Sequence, residues 1–180
     1  DPASKTARGE LLLIAFAAQG PGMQQWASPT AAIRSAGLSI DTLYLADPSN
    51  SYYMCAPADT DDANNAHDMS SQSASGGGCG LSYFAGLIDK HARHYSRVMI
   101  VGSSMGATAA LMHAHRAHRV LAFGPRIDLE RTHGSFLDPP LRSACTTQVM
   151  RALQQMDNAD STGKQPAVSI HVGAGNLEDV

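Results

Sequence analysis

Ser104 is flanked by glycine two positions away on each side, in Gly102-Ser103-Ser104-Met105-Gly106. An apolar run, Val98-Met99-Ile100-Val101, leads into these five residues, and an alanine-rich stretch beginning at Ala107 follows them. Strand, glycine-x-serine-x-glycine turn and helix is the order that holds a serine hydroxyl at the tip of a sharp elbow. Such a turn forces positive φ on its central residue, and side chains two positions to either side would collide, so glycine is required there. Ser104 then stands as a nucleophile. The N–H of Met105, in the first turn of the helix, points where an oxyanion would form. The five letters alone arise by chance in roughly one in seven chains of this composition. The flanking strand and helix are what make them informative.

Other residue types narrow the chemistry by exclusion. The segment from Gly102 to Ala107 fits neither a dinucleotide-binding pattern nor a P-loop, and no cofactor is expected. His113, His115 and His118 follow the elbow, but His113 and His115 lie about 200° apart around a helix, so the three cannot converge on a metal and are read as surface histidines. The acidic residues Asp59, Asp61, Asp62 and Asp68 lack EF-hand spacing. No metal site is expected. His133 sits in a loop that can fold over the serine. Asp128 is read first as an ion-pair partner of Arg126 or Arg131, and Asp47, before Pro48, as a turn former. Tyr52, Tyr53 and Met54 suit either a pocket wall or loop packing.

The elements that must position these groups alternate along the chain. Leu11 to Phe16 is too continuously apolar for a half-exposed strand and reads as a central parallel one, ending at the turn cluster Ala17 to Gly22. A helix is expected near Pro29 to Ala36, a strand at Thr42 to Ala46, a helix at Leu81 to His94 and the central strand at Arg97 to Val101. After the elbow, Ala107, Ala110, Leu111 and Ala114 give the next helix one small inner face. A strand at Val120 to Phe123, a helix at Thr146 to Met156 and a strand at Ala167 to Val172 complete the order.

This alternation predicts a doubly wound, mostly parallel sheet of about five strands with helices on both faces. Residues 1–180 form a single domain, with a Ser-, Asp-, Asn- and Gly-rich surface insertion at 57–80 that cannot build a packed core. The chain is 43% hydrophobic and 16% charged with a net charge of −3, which suits one full core. No basic excess suggests nucleic acid, and no apolar run approaches a membrane span. Cys55, Cys79 and Cys145, odd in number and widely spaced, favour ordinary thiols in a reducing, intracellular setting over a Cys55–Cys79 bridge.

With Gly102, Ser104 and Gly106 after a central strand, and Leu11 to Phe16 as the strand before a glycine-containing loop, the chain resembles the α/β-hydrolase fold, and in particular its serine esterases, lipases and acyltransferases. The resemblance implies an acyl-enzyme on Ser104, a small-molecule acyl substrate, and an oxyanion hole built from the N–H of Met105 and that of Ala17 or Ala18. It implies an acid after the last strand, at Asp179 or else Glu178, with Asp128 as the alternative used by relatives that carry it one strand earlier. It also implies a histidine after a further strand. The chain begins with Asp1 and reaches Val180 before any such strand, so it is expected to be a fragment of a longer hydrolase that is inactive alone. Acyl transfer to a sugar or alcohol, and a non-catalytic binding domain with an incomplete triad, are the alternatives.

Overall fold

A computed structural model describes residues 10–20, 23–57, 79–131, 137–158 and 165–173. The apolar runs become strands β1 (Leu11–Phe16), β2 (Ile40–Leu45), β3 (Arg97–Ser103), β4 (Arg119–Phe123) and β5 (Ala167–His171). Between them run helices α1 (Ala27–Ser35), α2 (Cys79–Ala92), α3 (Met105–Met112) and α4 (Pro139–Asn158). All strand pairs are parallel, in the order β2-β1-β3-β4-β5.

Side-chain alternation along the strands assigns the layers. Leu12, Ile14 and Phe16 of β1, with Val98 and Ile100 of β3, pack in one cluster with Phe84 and Ile88 of α2, Ala109 and Ala110 of α3, and Val149 of α4. The intervening residues Leu13, Ala15 and Val101 pack on the other face with Trp26, Ile40 and Ile33 of α1. Helices therefore cover both faces, as the alternating pattern predicts.

The strand order reverses direction between β1 and β3. Chain order runs outward through β2 on one side and through β4 and β5 on the other, so the carboxyl ends of β1 and β3 form the switch point where ligands bind in such sheets. The register brings Phe16 opposite Leu45 and Gly102, Ser103 opposite Phe123, and Phe123 opposite His171.

Several boundaries differ from the sequence reading. Helix α3 starts at Met105 and is buried on every side rather than along one face, because it lies between the sheet and α4. His113 at its end is buried, 3% exposed, and stacks on Phe16 at 5.7 Å, so it is a core residue and not a surface one. Helix α4 begins seven residues early, at Pro139, where a proline's missing N–H and fixed φ suit the first turn. The end of the expected insertion, Cys79 and Gly80, belongs to α2, and residues 58–78 lie outside the described ones. Cys55 and Cys145 are free thiols, and burial pushes that of Cys145 up to about 12. Among the described residues no group of His, Cys, Asp and Glu could hold a metal ion, and no helix is long and apolar enough to cross a membrane.

Candidate active site

Ser104 joins β3 to α3 with φ 52° and ψ −121°, a positive-φ conformation that a residue with a side chain adopts only under constraint. Its N–H donates to the carbonyl of Phe123 at 2.8 Å, and its own carbonyl accepts from Ala107 at 2.9 Å and Thr108 at 3.1 Å. The turn is thus pinned by a neighbouring strand on one side and by the helix it begins on the other.

The two glycines are required by close backbone approach. A Cβ on Gly102 would lie 2.1 Å from the carbonyl oxygen of Gly106, and one on Gly106 would lie 2.5 Å from that of Phe16 and 2.6 Å from that of Ala17. All three distances are impossible for real atoms. The second contact carries the functional consequence, since it brings the N-terminus of α3 directly against the loop leaving β1. Met105 begins the helix, where an N–H has no intrahelical acceptor.

The loop after β1 is held from several directions. Ala17 donates its N–H to Leu45 O at 2.9 Å, so that donor is already used. The phenol of Tyr53 donates toward Ala17 O at 2.8 Å and Leu45 O at 3.0 Å. Trp26 Nε1 donates to Phe16 O at 2.9 Å. With its carboxamide oxygen turned to face the nearby N–H groups, Gln25 accepts from Trp26 Nε1 at 3.0 Å and from the N–H of Ala18 at 2.9 Å. The Ala18 N–H thus faces an amide oxygen carried on the exposed side chain of Gln25 rather than a backbone partner.

Thr108, fully buried in α3, binds the loop after β4 through its Oγ1, which donates to Arg126 O at 2.9 Å and accepts Arg126 N–H at 2.9 Å. Asp128, in that loop, accepts the N–H groups of Glu130 at 3.1 Å and Arg131 at 3.3 Å, shaping its own turn. Asp47 is more than a turn former. It is buried, and its carboxylate accepts from Ser49 Oγ at 2.5 Å, Ser51 Oγ at 3.0 Å and Tyr53 N–H at 2.8 Å. Tyr52, Tyr53 and Met54 are buried beside it and pack in the core.

Asp47 and Tyr53 hold more of the loop together than their sequence context predicts. Serines two and four residues after an aspartate are the available signal, because each can donate to its carboxylate, but the partners of Tyr53 are carbonyls distant in sequence.

Among the described residues no histidine hydrogen-bonds Ser104. His113 is in the core, and burial, helped by Arg116 and His115, pushes it down to about 3. His118 accepts the N–H of Val98 through Nδ1 at 3.0 Å. His171 stacks on Phe123 at 4.8 Å, two strands from Ser103 in the register. Asp179, Glu178 and His133 lie outside the described residues.

No protein-family model and no curated protein sequence matches the chain. Solved structures do. FphF, a fluorophosphonate-binding serine hydrolase of Staphylococcus aureus, is similar over 96% of this chain and 68% of its own, with a TM-score of 0.57 and 13% identity. The S-formylglutathione hydrolase FrmB of the same organism is similar over 97% of this chain and 68% of its own, with a TM-score of 0.56 and 12% identity. The fold is that of the α/β-hydrolases. The siderophore hydrolase EstA of Aspergillus nidulans is a third α/β-hydrolase-like neighbour, with a TM-score of 0.52 and 15% identity over 94% of this chain and 59% of its own.

Proposed function

We propose that this domain carries the nucleophile and oxyanion hole of a serine hydrolase acting on a small acyl ester. The observation that supports this most is the conformation of Ser104, held at φ 52° between two glycines that admit no side chain. Packing alone does not require a strained serine at the switch point, whereas a nucleophile elbow does. The likeness to solved hydrolases, among them the serine hydrolase FphF, agrees with this reading.

In the proposed reaction Ser104 Oγ attacks the ester carbonyl while a histidine base takes the hydroxyl proton. The carbonyl oxygen becomes an oxyanion, which receives hydrogen bonds from Met105 N–H and Ala18 N–H. Ala18 is preferred over Ala17, whose N–H is bound to Leu45. Incoming substrate oxygen would replace the Gln25 amide oxygen at Ala18. Collapse expels the alcohol, which takes the proton from histidine, and water then releases the acid from Ser104 by the same steps. Asp179 is the proposed acid that orients the histidine, with Glu178 and then Asp128 as substitutes. For the base, the resemblance implies a histidine that follows a further strand, with His133 as the alternative. An acceptor alcohol replacing water would make the same site an acyltransferase.

The test is hydrolysis of short-chain p-nitrophenyl esters by the full-length protein. Ser104→Ala is expected to lower kcat by at least about 1000-fold, leaving only what binding and the oxyanion hole supply. A folded Ser104→Ala protein that retains wild-type turnover would refute the assignment.

A further inference from the structure

A side chain that the reaction never touches holds the oxyanion loop from beneath. Tyr53 is fully buried, and its phenol lies 2.8 Å from Ala17 O and 3.0 Å from Leu45 O. Leu45 O also accepts the Ala17 N–H at 2.9 Å. Ala17 is therefore bound at both of its backbone polar groups, and one end of each contact belongs to β2 or to the loop that follows it.

Peptide planarity transmits this to the reacting oxygen. The carbonyl of Ala17 and the N–H of Ala18 belong to one trans peptide unit, in which the two bonds point in opposite directions. Fixing Ala17 O on Tyr53 thus fixes the direction of the Ala18 N–H. Gly106 packs against the same Ala17 carbonyl group, so the second donor, on Met105, is held next to the first.

Tyr53 is itself held at a conformational cost. Asn50, Tyr52 and Tyr53 have φ of 52°, 59° and 64°, three residues other than glycine in the left-handed region within four positions. Such strain persists only where the surroundings over-determine it, and here the Asp47 carboxylate gathers Ser49, Ser51 and the Tyr53 N–H around itself. The Tyr53 ring is set by edge contacts with Phe16 at 4.9 Å and Phe84 at 4.8 Å. A second clamp comes from Asn50, whose Oδ1 accepts the N–H of Gly20 at 3.2 Å. Burial, and then the neighbouring Asp47 charge, hold the phenol's pKa well above its ordinary value, so it remains a donor at every working pH.

We propose that Tyr53, anchored by Asp47, is a positioning residue for the oxyanion hole, aiming the Ala18 N–H at the substrate oxygen through its hydrogen bond to Ala17 O. The inference rests on the serine hydrolase reading above. Its specific consequence is that Tyr53 serves the transition state and not the bound ester, because the oxyanion exists only in the former.

Tyr53→Phe removes the hydroxyl and keeps the ring. In the full-length protein it is expected to lower kcat about 10- to 100-fold with KM within about three-fold, somewhat less than deleting an oxyanion donor outright. Affinity for an alkyl boronic acid, which forms a tetrahedral adduct on the serine, should fall by a factor similar to kcat/KM. A merely structural role would lower the melting temperature while leaving kcat per folded molecule and boronate affinity unchanged, and that result overturns the proposal. Should Tyr53→Phe not fold at the assay temperature, Asp47→Asn, which loosens the carboxylate anchor of the Tyr53 N–H, replaces it. There a three- to ten-fold loss in kcat at constant KM supports the proposal, and unchanged turnover overturns it. An inactive wild type would sink the hydrolase reading itself, whereas an active wild type with an unaffected Tyr53→Phe sinks this inference alone.

Discussion

Ser104 holds a backbone conformation that glycine adopts freely and serine does not. The strain has a measurable signature, because removing the side chain should stabilise the fold while abolishing the chemistry. Ser104→Gly is expected to be more stable than Ser104→Ala by about 1 kcal/mol in urea unfolding, and both should be inactive. Equal stabilities would mean that the turn carries no strain. His113 supplies a second prediction at this scale. Its value falls from 6.5 to about 3 on folding, chiefly through burial, so the unfolded chain binds a proton that the folded one refuses. Its contribution is fully present above pH 6.5 and is lost as pH falls toward 3, with stability dropping by up to about 1.4 kcal/mol per pH unit within that window. His113→Phe should flatten that part of the stability profile, as measured by denaturant midpoints between pH 4 and 7. The neutral ring stacks on Phe16, which precedes the oxyanion loop, so acid destabilisation would begin close to the site.

At the scale of elements, the elbow works because β3, α3 and the loop after β1 approach to backbone contact. Gly102→Ala places a methyl 2.1 Å from a carbonyl oxygen, which forces α3 away from β3. A loss of about 2–3 kcal/mol or more is expected, together with the loss of turnover. Gly86 gives the contrast, since it lies exposed in α2 with nothing within 4 Å of a Cβ. Gly86→Ala should gain about 0.5–1 kcal/mol with activity intact. Thermal melts of the two variants separate a glycine needed for approach from one that merely weakens a helix. The elbow was legible in the sequence because its reasons are local, with glycine at fixed offsets between an apolar run and an alanine-rich stretch. The Asp47 loop was not. Its aspartate reads as an ordinary turn former, and the bonds that give it a role reach from Tyr53 to Ala17, 36 residues away in sequence.

For the molecule as a whole, apolar runs and their alternation with helices were enough to predict the sheet, because a doubly wound topology follows from crossover rules more than from particular side chains. The order β2-β1-β3-β4-β5 then puts the switch point between β1 and β3, so the loop bearing Ala17 and Ala18 and the turn bearing Ser104 meet without any motif linking them in sequence. Helix boundaries were less legible. That α3 would be buried all round depends on α4 lying across it, a tertiary fact with no local signal beyond its high alanine content. The acid and base of the proposed reaction rest on resemblance, while the nucleophile and its oxyanion donors rest on geometry. The most direct measurement is therefore made on the serine itself. The full-length protein should be treated with a fluorophosphonate and the modified peptide mapped by mass spectrometry. A single phosphonyl adduct on Ser104 that disappears in Ser104→Ala is expected, whereas a folded protein that resists labelling, or an adduct that survives the substitution, rules out Ser104 as the nucleophile.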